Sequence, residues 1–215
     1  MASSTEVVLE LASVELSGDL TVPSSAEAVI LFAHGSGSGR RSPRNQAVAA
    51  SLQEAGLGTL LFDLLSDKEE ALDARTAELR FAIPLLADRL LGATRWVEAA
   101  TALGDLRIGY FGASTGAAAA LVAAAEEHRV GAVVSRGGRP DLARSALARV
   151  TSPTLLIVGG ADTSVIAMNE EAMAQLRCEK RMDIVPGASH LFEEPGSLER
   201  VSELARDWFV DKLAS

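Results

Sequence analysis

The chain contains 215 residues, of which 48% are apolar, and its formal net charge is −9. Because this length and apolar content can build one substantial core, we expect a single domain spanning residues 1–215. The acidic balance argues against nonspecific nucleic-acid binding and against binding to an anionic membrane surface. Cys178 is the one cysteine, which excludes an intramolecular disulfide and a multi-thiolate metal site. Since the N-terminal residues lack a basic segment followed by an apolar one, we expect no signal peptide and a cytoplasmic protein.

Short runs rich in leucine and β-branched residues predict strands along the chain. The predicted strands are residues 6–11, 14–21, 28–33, 58–64, 106–111, 131–135, 154–158 and 182–185. Several runs from the third onward are continuously apolar, as expected for parallel strands that are covered on both faces. The first two predict an antiparallel start to the sheet, joined through residues 17–19.

Longer segments with helical patterns alternate with these strands. The predicted helices are residues 45–55, about 85–103, 115–127, 163–176 and 198–213. The charged segment 67–80 is compatible with a short helix and is expected to be a solvated face. This alternation predicts an α/β fold with right-handed crossovers and helices on both sides of the sheet.

Ser114 lies in a strand–turn–helix context that is typical of a nucleophile elbow. Gly112 and Gly116 stand two residues before and two residues after it, directly between a predicted strand and an alanine-rich predicted helix. The elbow needs small residues at these two places, because the backbone folds back so tightly that larger side chains would collide. Although Gly-x-Ser-x-Gly alone is a weak signal, its context favours a nucleophilic serine at position 114.

A glycine-rich turn, residues 34–39, follows the third predicted strand. In a hydrolase, such a turn would supply an oxyanion donor, here the Ser36 amide, with the Thr115 amide as the second donor. A nucleotide-binding loop would also place glycines ahead of a helix, but the spacing matches neither of the two common phosphate-binding motifs. The nearby Arg40, Arg41 and Arg44 are either solvated or help to attract an anionic substrate.

His190 is the strongest candidate for the base that a serine nucleophile needs. It lies in the loop directly after the last predicted strand, whereas His34 belongs to the glycine-rich turn and His128 complements a helix C-terminus. Asp162 is the candidate acid, because it ends the preceding predicted strand and the carboxyl ends of parallel strands share one edge of the sheet. Asp162 could instead, or also, cap the helix that begins at position 163.

Three other acidic residues near these positions are given minor roles. Glu193 and Glu194 are expected to be solvated ahead of the last helix. Asp141 is expected to be a helix cap or to lie at the edge of a pocket.

The chain resembles the α/β-hydrolase superfamily and, within it, small dienelactone hydrolase-like proteins. The resemblance runs from about residue 28 to residue 213 and rests on residues 34–39, 42–45, 63–65, 112–116, 159–162 and 187–190. It implies a mostly parallel eight-stranded sheet whose second strand is antiparallel, and a site without metal or cofactor. The sequence departs from dienelactone hydrolases proper, which use a cysteine nucleophile, because position 114 is serine.

Together these features predict a serine hydrolase that cleaves small carboxylic esters through an acyl-enzyme. No insertion is long enough to form a separate cap domain, so we expect an open site, with Gly37, Arg41 and Arg44 as candidate contacts for a small-molecule ester. Cleavage of lactones, thioesters or amides would use the same residues. A non-hydrolytic enzyme and a noncatalytic binding protein on the same fold also remain open.

Overall fold

The computed structural model describes residues 4–100 and 102–213. Its centre is an eight-stranded sheet with the strand order β1-β2-β4-β3-β5-β6-β7-β8. The strands are β1 (Thr5–Leu11), β2 (Val14–Thr21), β3 (Ala28–Ala33), β4 (Gly58–Phe62), β5 (Arg107–Ala113), β6 (Val130–Arg136), β7 (Thr154–Gly159) and β8 (Lys180–Val185). β2 runs antiparallel to both of its neighbours, and the other pairings are parallel. The predicted mostly parallel sheet is therefore confirmed.

Helices cover both faces of the sheet. They are α1 (Pro43–Glu54), α2 (Asp67–Thr76), α3 (Ile83–Ala99), α4 (Thr115–Ala124), α5 (Thr163–Gln175) and α6 (Ser197–Lys212). Leucine and valine side chains of α1 and α6 form one core on one face, and a second core on the other face joins α3, α4 and α5. This arrangement gives the continuously apolar central strands a buried environment on both sides.

Some element boundaries differ from those predicted, for local reasons. β4 ends at Phe62 rather than 64, because the amides of Asp63 and Leu64 turn away to the Ser17 carbonyl and to His34 Nε2. α3 begins at Ile83 and ends at Ala99, not at about 85 and 103, since the proline at position 84 is tolerated in a first helical turn. The predicted end of α3 includes Thr101, which lies outside the described residues.

Three further segments correct the sequence-based expectations. The turn between β1 and β2 lies at residues 12–13, and residues 17–19 are inside β2. α4 ends at Ala124 rather than at 127. A 3-10 segment, Pro140–Arg149, was not predicted at all; it contains a break at Arg144, where φ is 50° and ψ is −127°. A left-handed backbone at a residue other than glycine is set by the surrounding packing, so local sequence preference did not signal it.

Arg40 was expected to be solvated or to attract substrate, and the structure corrects this. Its side chain is only 10% exposed and its guanidinium contacts Glu6, Asp19 and Asp63 at distances of 2.8, 2.7 and 3.1 Å. Asp63 also accepts the Arg40 amide at 2.8 Å. Arg40 therefore ties the turn after β3 to β1, β2 and the end of β4.

We expect Arg40→Met to lower the free energy of unfolding by about 2 kcal/mol, because removing the cation leaves partly buried carboxylates without their partner. Chemical denaturation measures this change. Arg41→Met is the matched control, since Arg41 is exposed and its replacement should change the stability by less than about 0.5 kcal/mol. Equal effects of the two variants would contradict the assigned role of Arg40.

Among the described residues, none of the helices combines the length and apolar character needed to cross a bilayer.

Candidate active site

Ser114 occupies a strained turn between β5 and α4. Its φ of 50° and ψ of −121° are unusual for a residue other than glycine, and such strain is often found at functional positions. A Cβ atom at Gly112 would meet the backbone of Ala117 at the start of α4, and one at Gly116 would meet the carbonyl oxygens of Ala33 and His34. Both glycines are therefore required by close backbone approach, as the elbow motif predicts.

His190 lies between Ser114 and Asp162. Its Nδ1 is 2.7 Å from Asp162 Oδ2, and its Nε2 is 3.4 Å from Ser114 Oγ. If the ring carries its proton on Nδ1, that N–H donates to the carboxylate and Nε2 is free to accept from the serine hydroxyl. The structure thus brings together the three residues that the sequence singled out, although 76 positions separate Ser114 from His190.

Asp162 stands at the N-cap position of α5, but its carboxylate makes no capping hydrogen bond to the helix. One carboxylate oxygen contacts His190, and the other lies 3.5 Å from the Ser164 hydroxyl. The side chain is therefore oriented towards the imidazole rather than towards the backbone of α5. The helix-capping alternative is not supported by this geometry.

The loop that carries His190 is held by backbone contacts and by one carboxylate. The Ala161 amide donates to the Ala188 carbonyl at 2.9 Å, which joins this loop to the one that carries Asp162. Glu194 accepts the Ser189 amide at 3.0 Å. Glu194 was expected to be simply solvated, and the structure corrects this, because its carboxylate fixes the residue next to His190.

Other nearby charged residues form exposed or partly exposed pairs. Glu193 is exposed, as expected, and contacts Arg44 at 3.3 Å. Asp141 forms two hydrogen bonds with the guanidinium of Arg139, at 2.9 and 2.8 Å. Asp141 is therefore engaged by a neighbouring arginine beside the turn that follows β6.

The glycine-rich turn after β3 lies against the elbow. Ser36 Oγ is 2.9 Å from Thr115 Oγ1, so the two residues predicted to supply oxyanion donors contact each other through their side chains. A Cβ atom at Gly35 would lie 3.1 Å from the Cβ of Ser114, which shows how closely the turn approaches the serine. Thr115 begins α4, where the first N–H groups of a helix have no partner within the helix.

His34 supports this turn rather than the serine. Its Nε2 accepts the Leu64 amide at 3.0 Å, which places the proton on Nδ1, and Nδ1 lies 3.0 Å from the Gly35 carbonyl. Burial lowers the pKa of His34, although the Gly35 carbonyl and Asp63 act in the opposite direction. The ring is thus neutral near pH 7 and acts as a structural bridge between the ends of β3 and β4.

A cavity of about 150 Å³ lies against the glycine-rich turn, and Thr115 of the elbow also lines it. Gly37 lines it, with a φ of 66° that suits glycine, whereas Arg41 and Arg44 do not line it. The cavity wall consists of turn residues, apolar side chains and charged side chains, namely His34, Gly35, Ser36, Gly37, Ser38, Asp63, Leu64, Leu65, Glu70, Asp73, Ala74, Arg80, Leu86 and Thr115.

Two of these wall residues, Asp73 and Arg80, were not singled out from the sequence. They lie in the charged segment that was expected to be a solvated face, but Asp73 is only 4% exposed and binds Arg80 Nε at 2.7 Å. Burial acts to raise the pKa of the Asp73 carboxyl, but hydrogen bonds from Arg80 and from the Leu79 amide outweigh it and lower that pKa. In sequence, a buried ion pair between two residues of a charged segment looks the same as a solvated pair.

The residues that the structure describes contain no group of three or more histidine, cysteine, aspartate or glutamate side chains placed to hold a metal ion. At Ser114, the structure places a serine hydroxyl, an imidazole and a carboxylate in one line of contacts. Such a set of groups is chemically able to carry out nucleophilic attack on a carbonyl.

Comparison with known proteins gives the family. A family model described as an alpha/beta hydrolase domain matches residues 26–211. Two proteins of Mycobacterium tuberculosis, from strains CDC 1551 and H37Rv, are each 52% identical over 97% of this chain, and each is named "Putative phosphoribosyl transferase". The chain spans only 46% of the length of these relatives.

Solved structures show the same fold. The crystal structure of a dienelactone hydrolase from Anabaena variabilis is 58% identical, covers 99% of both chains and has a TM-score of 0.97. Est1E from Butyrivibrio proteoclasticus, at 16% identity and a TM-score of 0.81 over 99% of this chain, shares the fold. With its eight-stranded sheet and no separate cap domain evident, the chain belongs to the α/β-hydrolase family and is a dienelactone hydrolase-like protein.

Proposed function

We propose that this protein is a serine hydrolase that cleaves small carboxylic esters through an acyl-enzyme on Ser114. The observation that carries the proposal is the position of His190, 2.7 Å from Asp162 and 3.4 Å from the Ser114 hydroxyl. A 3.4 Å contact is long for a hydrogen bond, but such contacts are often loose before substrate binds.

The proposed reaction follows from these three side chains. His190 Nε2 takes the proton of the Ser114 hydroxyl as Oγ attacks the ester carbonyl, and Asp162 holds the imidazole and stabilises its cationic form. His190 then gives the proton to the leaving alcohol, which departs as the ester C–O bond breaks. Water, deprotonated by the same nitrogen, attacks the acyl-enzyme. The bond from the acyl carbon to Ser114 Oγ then breaks, Oγ recovers the proton from His190, and the acid is released.

The negative oxygen of the tetrahedral intermediate would be bound by the amides of Ser36 and Thr115. The contact between their hydroxyl groups at 2.9 Å supports this assignment, because it holds the two backbone segments at a fixed separation. Loss of one oxyanion donor typically costs about 100-fold or more in rate. Gly35 and Gly116 allow the turn and the elbow to come this close.

Fluorophosphonate labelling tests the proposal. We expect a single adduct on the purified protein, found by intact-mass measurement and located by peptide mapping on the segment that contains Ser114. Turnover of short-chain esters should accompany it, with lactones, thioesters and amides assayed in parallel because they would use the same residues. Absence of both the adduct and turnover across this panel would overturn the proposal in favour of a noncatalytic binding protein.

Asp162→Asn should reduce kcat by about 10⁴-fold, the size of effect seen when a serine protease loses this carboxylate, because the amide favours the wrong imidazole tautomer. Steady-state ester hydrolysis measures the change. Asp88→Asn is the matched control, since Asp88 is exposed on α3, outside the site. Similar activity in the two variants would exclude the proposed role of Asp162.

Several finer parts of this proposal concern the chain as a whole. We propose that it acts as one domain, in the cytoplasm, without metal or cofactor, on a small molecule rather than on a nucleic acid or membrane. The transferase name belongs to relatives about twice as long, and no residue described above favours phosphoribosyl transfer by this chain.

A further inference from the structure

β8 is the last strand at one end of the sheet, and part of its backbone has no strand to bind. The Val185 carbonyl accepts the Gly160 amide, which follows β7, at 2.8 Å. Since the backbone groups of successive residues point to opposite sides of a strand, the odd-numbered residues of β8 bind β7. The amides and carbonyls of Lys180, Met182 and Ile184 therefore point away from the sheet, where the described residues place no further strand.

A second copy of β8, antiparallel to the first and centred on Met182, would satisfy these backbone groups. Met182 then faces Met182 of the second copy, and Lys180 faces Ile184. Each of these is a hydrogen-bonded pair, in which the two residues exchange both of their N–H···O bonds. The pairing also covers the Ile184 side chain, which is 45% exposed, with the aliphatic stem of Lys180.

The same register brings opposite charges together. Arg181 lies opposite Asp183 of the second copy, in the kind of antiparallel pair whose side chains are closest. Within one copy, Arg181 Nη2 donates to Asp183 Oδ1 at 2.9 Å. Asp183 Oδ2 lies 2.6 Å from Arg181 Nε but accepts no well-directed hydrogen bond from the described residues. The carboxylate therefore has an acceptor position left for the guanidinium of the second copy.

The other edge of the sheet, β1, has the opposite property. Its central residue, Val8, is 55% exposed. Pairing of two β1 strands about Val8 would place Glu6 opposite Glu10 of the second copy, and like charges directly opposite each other are destabilising. Charges on an edge strand usually discourage pairing, as they do on β1. On β8 they are arranged so that a two-fold axis matches each charge with its opposite.

A groove of about 550 Å³ continues this surface between β8 and α6. Arg181 and Asp183 point to this side of the sheet, because their neighbours in β7, Leu155 and Ile157, pack in the core formed with α1 and α6. Trp208 lines the groove, and its buried indole N–H has no partner among the described residues. The groove also carries charges of both signs, namely Lys180, Arg181, Arg200, Lys212, Glu179, Asp207 and Asp211.

We propose that β8 is a dimer interface, which binds β8 of a second copy of this chain and joins the two sheets across a two-fold axis. A two-fold interface is formed by the same surface on both subunits, so it requires a surface that complements itself. The outward backbone groups and the Arg181–Asp183 register meet this requirement. The inference goes beyond the proposed hydrolase function and does not depend on it, since Ser114→Ala should form the same dimer.

Sedimentation velocity gives the first test. We expect the wild type to reach twice the mass of one chain at concentrations up to about 100 μM, the range in which micromolar complexes form. Val8→Asp, at the centre of β1, is the matched control and should dimerise like the wild type. A wild type that stays monomeric over this range would overturn the inference and leave the β8 edge to a segment of a different chain.

Charge reversal tests the register. Arg181→Asp and Asp183→Arg should each raise the dissociation constant by about 10- to 100-fold, because both symmetric pairs change from attraction to repulsion. An equimolar mixture of the two variants should recover a heterodimer with the wild-type dissociation constant, since every pair in it again joins opposite charges. Native mass spectrometry distinguishes the heterodimer by its mass. Variants that dimerise like the wild type, or a mixture that forms no heterodimer, would contradict the proposed register.

Hydrogen exchange followed by NMR tests the backbone contacts. The outward amides of Met182 and Ile184 should exchange slowly in the dimer and quickly in Arg181→Asp, where the edge is open. This measurement needs no catalytic activity, so its outcome is separate from that of the hydrolase proposal. A dimer in which both amides exchange quickly would use another surface and would overturn the inference.

Discussion

Ser114→Ala should abolish fluorophosphonate labelling and lower the rate of ester hydrolysis by at least about 10⁴-fold, because the alanine has no oxygen to form the acyl-enzyme. Folding should be retained, since alanine replaces a partly buried serine of almost the same shape at the same strained position. Intact-mass measurement with the probe and steady-state kinetics give the two readouts.

Two controls make this result specific to the elbow serine. Ser145→Ala removes an exposed hydroxyl in the 3-10 segment and should leave labelling and turnover unchanged. Circular dichroism and thermal melting should show that both variants are folded. Labelling that persists in Ser114→Ala would mean that another residue is the nucleophile.

Gly116→Ala should destabilise the fold by about 3 kcal/mol, although alanine is the better helix former. The helix preference alone would favour alanine by about 1 kcal/mol. However, the added methyl group would collide with the backbone carbonyls of Ala33 and His34, which cannot rotate away as a flexible side chain can. Overpacking of this kind typically costs 1–3 kcal/mol or more, so the collision outweighs the helix preference. Urea unfolding measures this change in the free energy of unfolding. The slope of that free energy against urea concentration should be the same for the variant and the wild type.

Gly187→Ala is the matched control for this prediction. Gly187 has a φ of 73°, but a Cβ atom there would meet no other atom within 4 Å. Gly187→Ala should therefore lower the free energy of unfolding by only about 1 kcal/mol, because a residue with a Cβ atom is strained in the left-handed backbone conformation. If Gly116→Ala were no more destabilising than Gly187→Ala, the elbow would not require a glycine at position 116.

Much of the fold could be predicted from sequence because its signals are local. Continuously apolar runs indicated the buried parallel strands, and the glycines around Ser114 indicated the sharp turn between β5 and α4. The candidate residues Asp162 and His190 followed from a topological rule, namely that parallel strands present their carboxyl ends at one edge. That rule does not give distances. The separations of His190 from Asp162, 2.7 Å, and from the Ser114 hydroxyl, 3.4 Å, come from the structure.

The sequence by itself determined the fold class and the order of the strands, since these depend on periodicity. It also indicated the three candidate residues after the strand ends, through the glycines around Ser114 and the shared edge of parallel strands. Only the tertiary structure decided which charged side chains are internal. Arg40, Asp73 and Arg136 look like solvated residues in sequence but are largely buried. Whether a charge is paired, solvated or left without an acceptor depends on segments far away in the chain, because burial and electrostatic pairing are properties of the folded molecule.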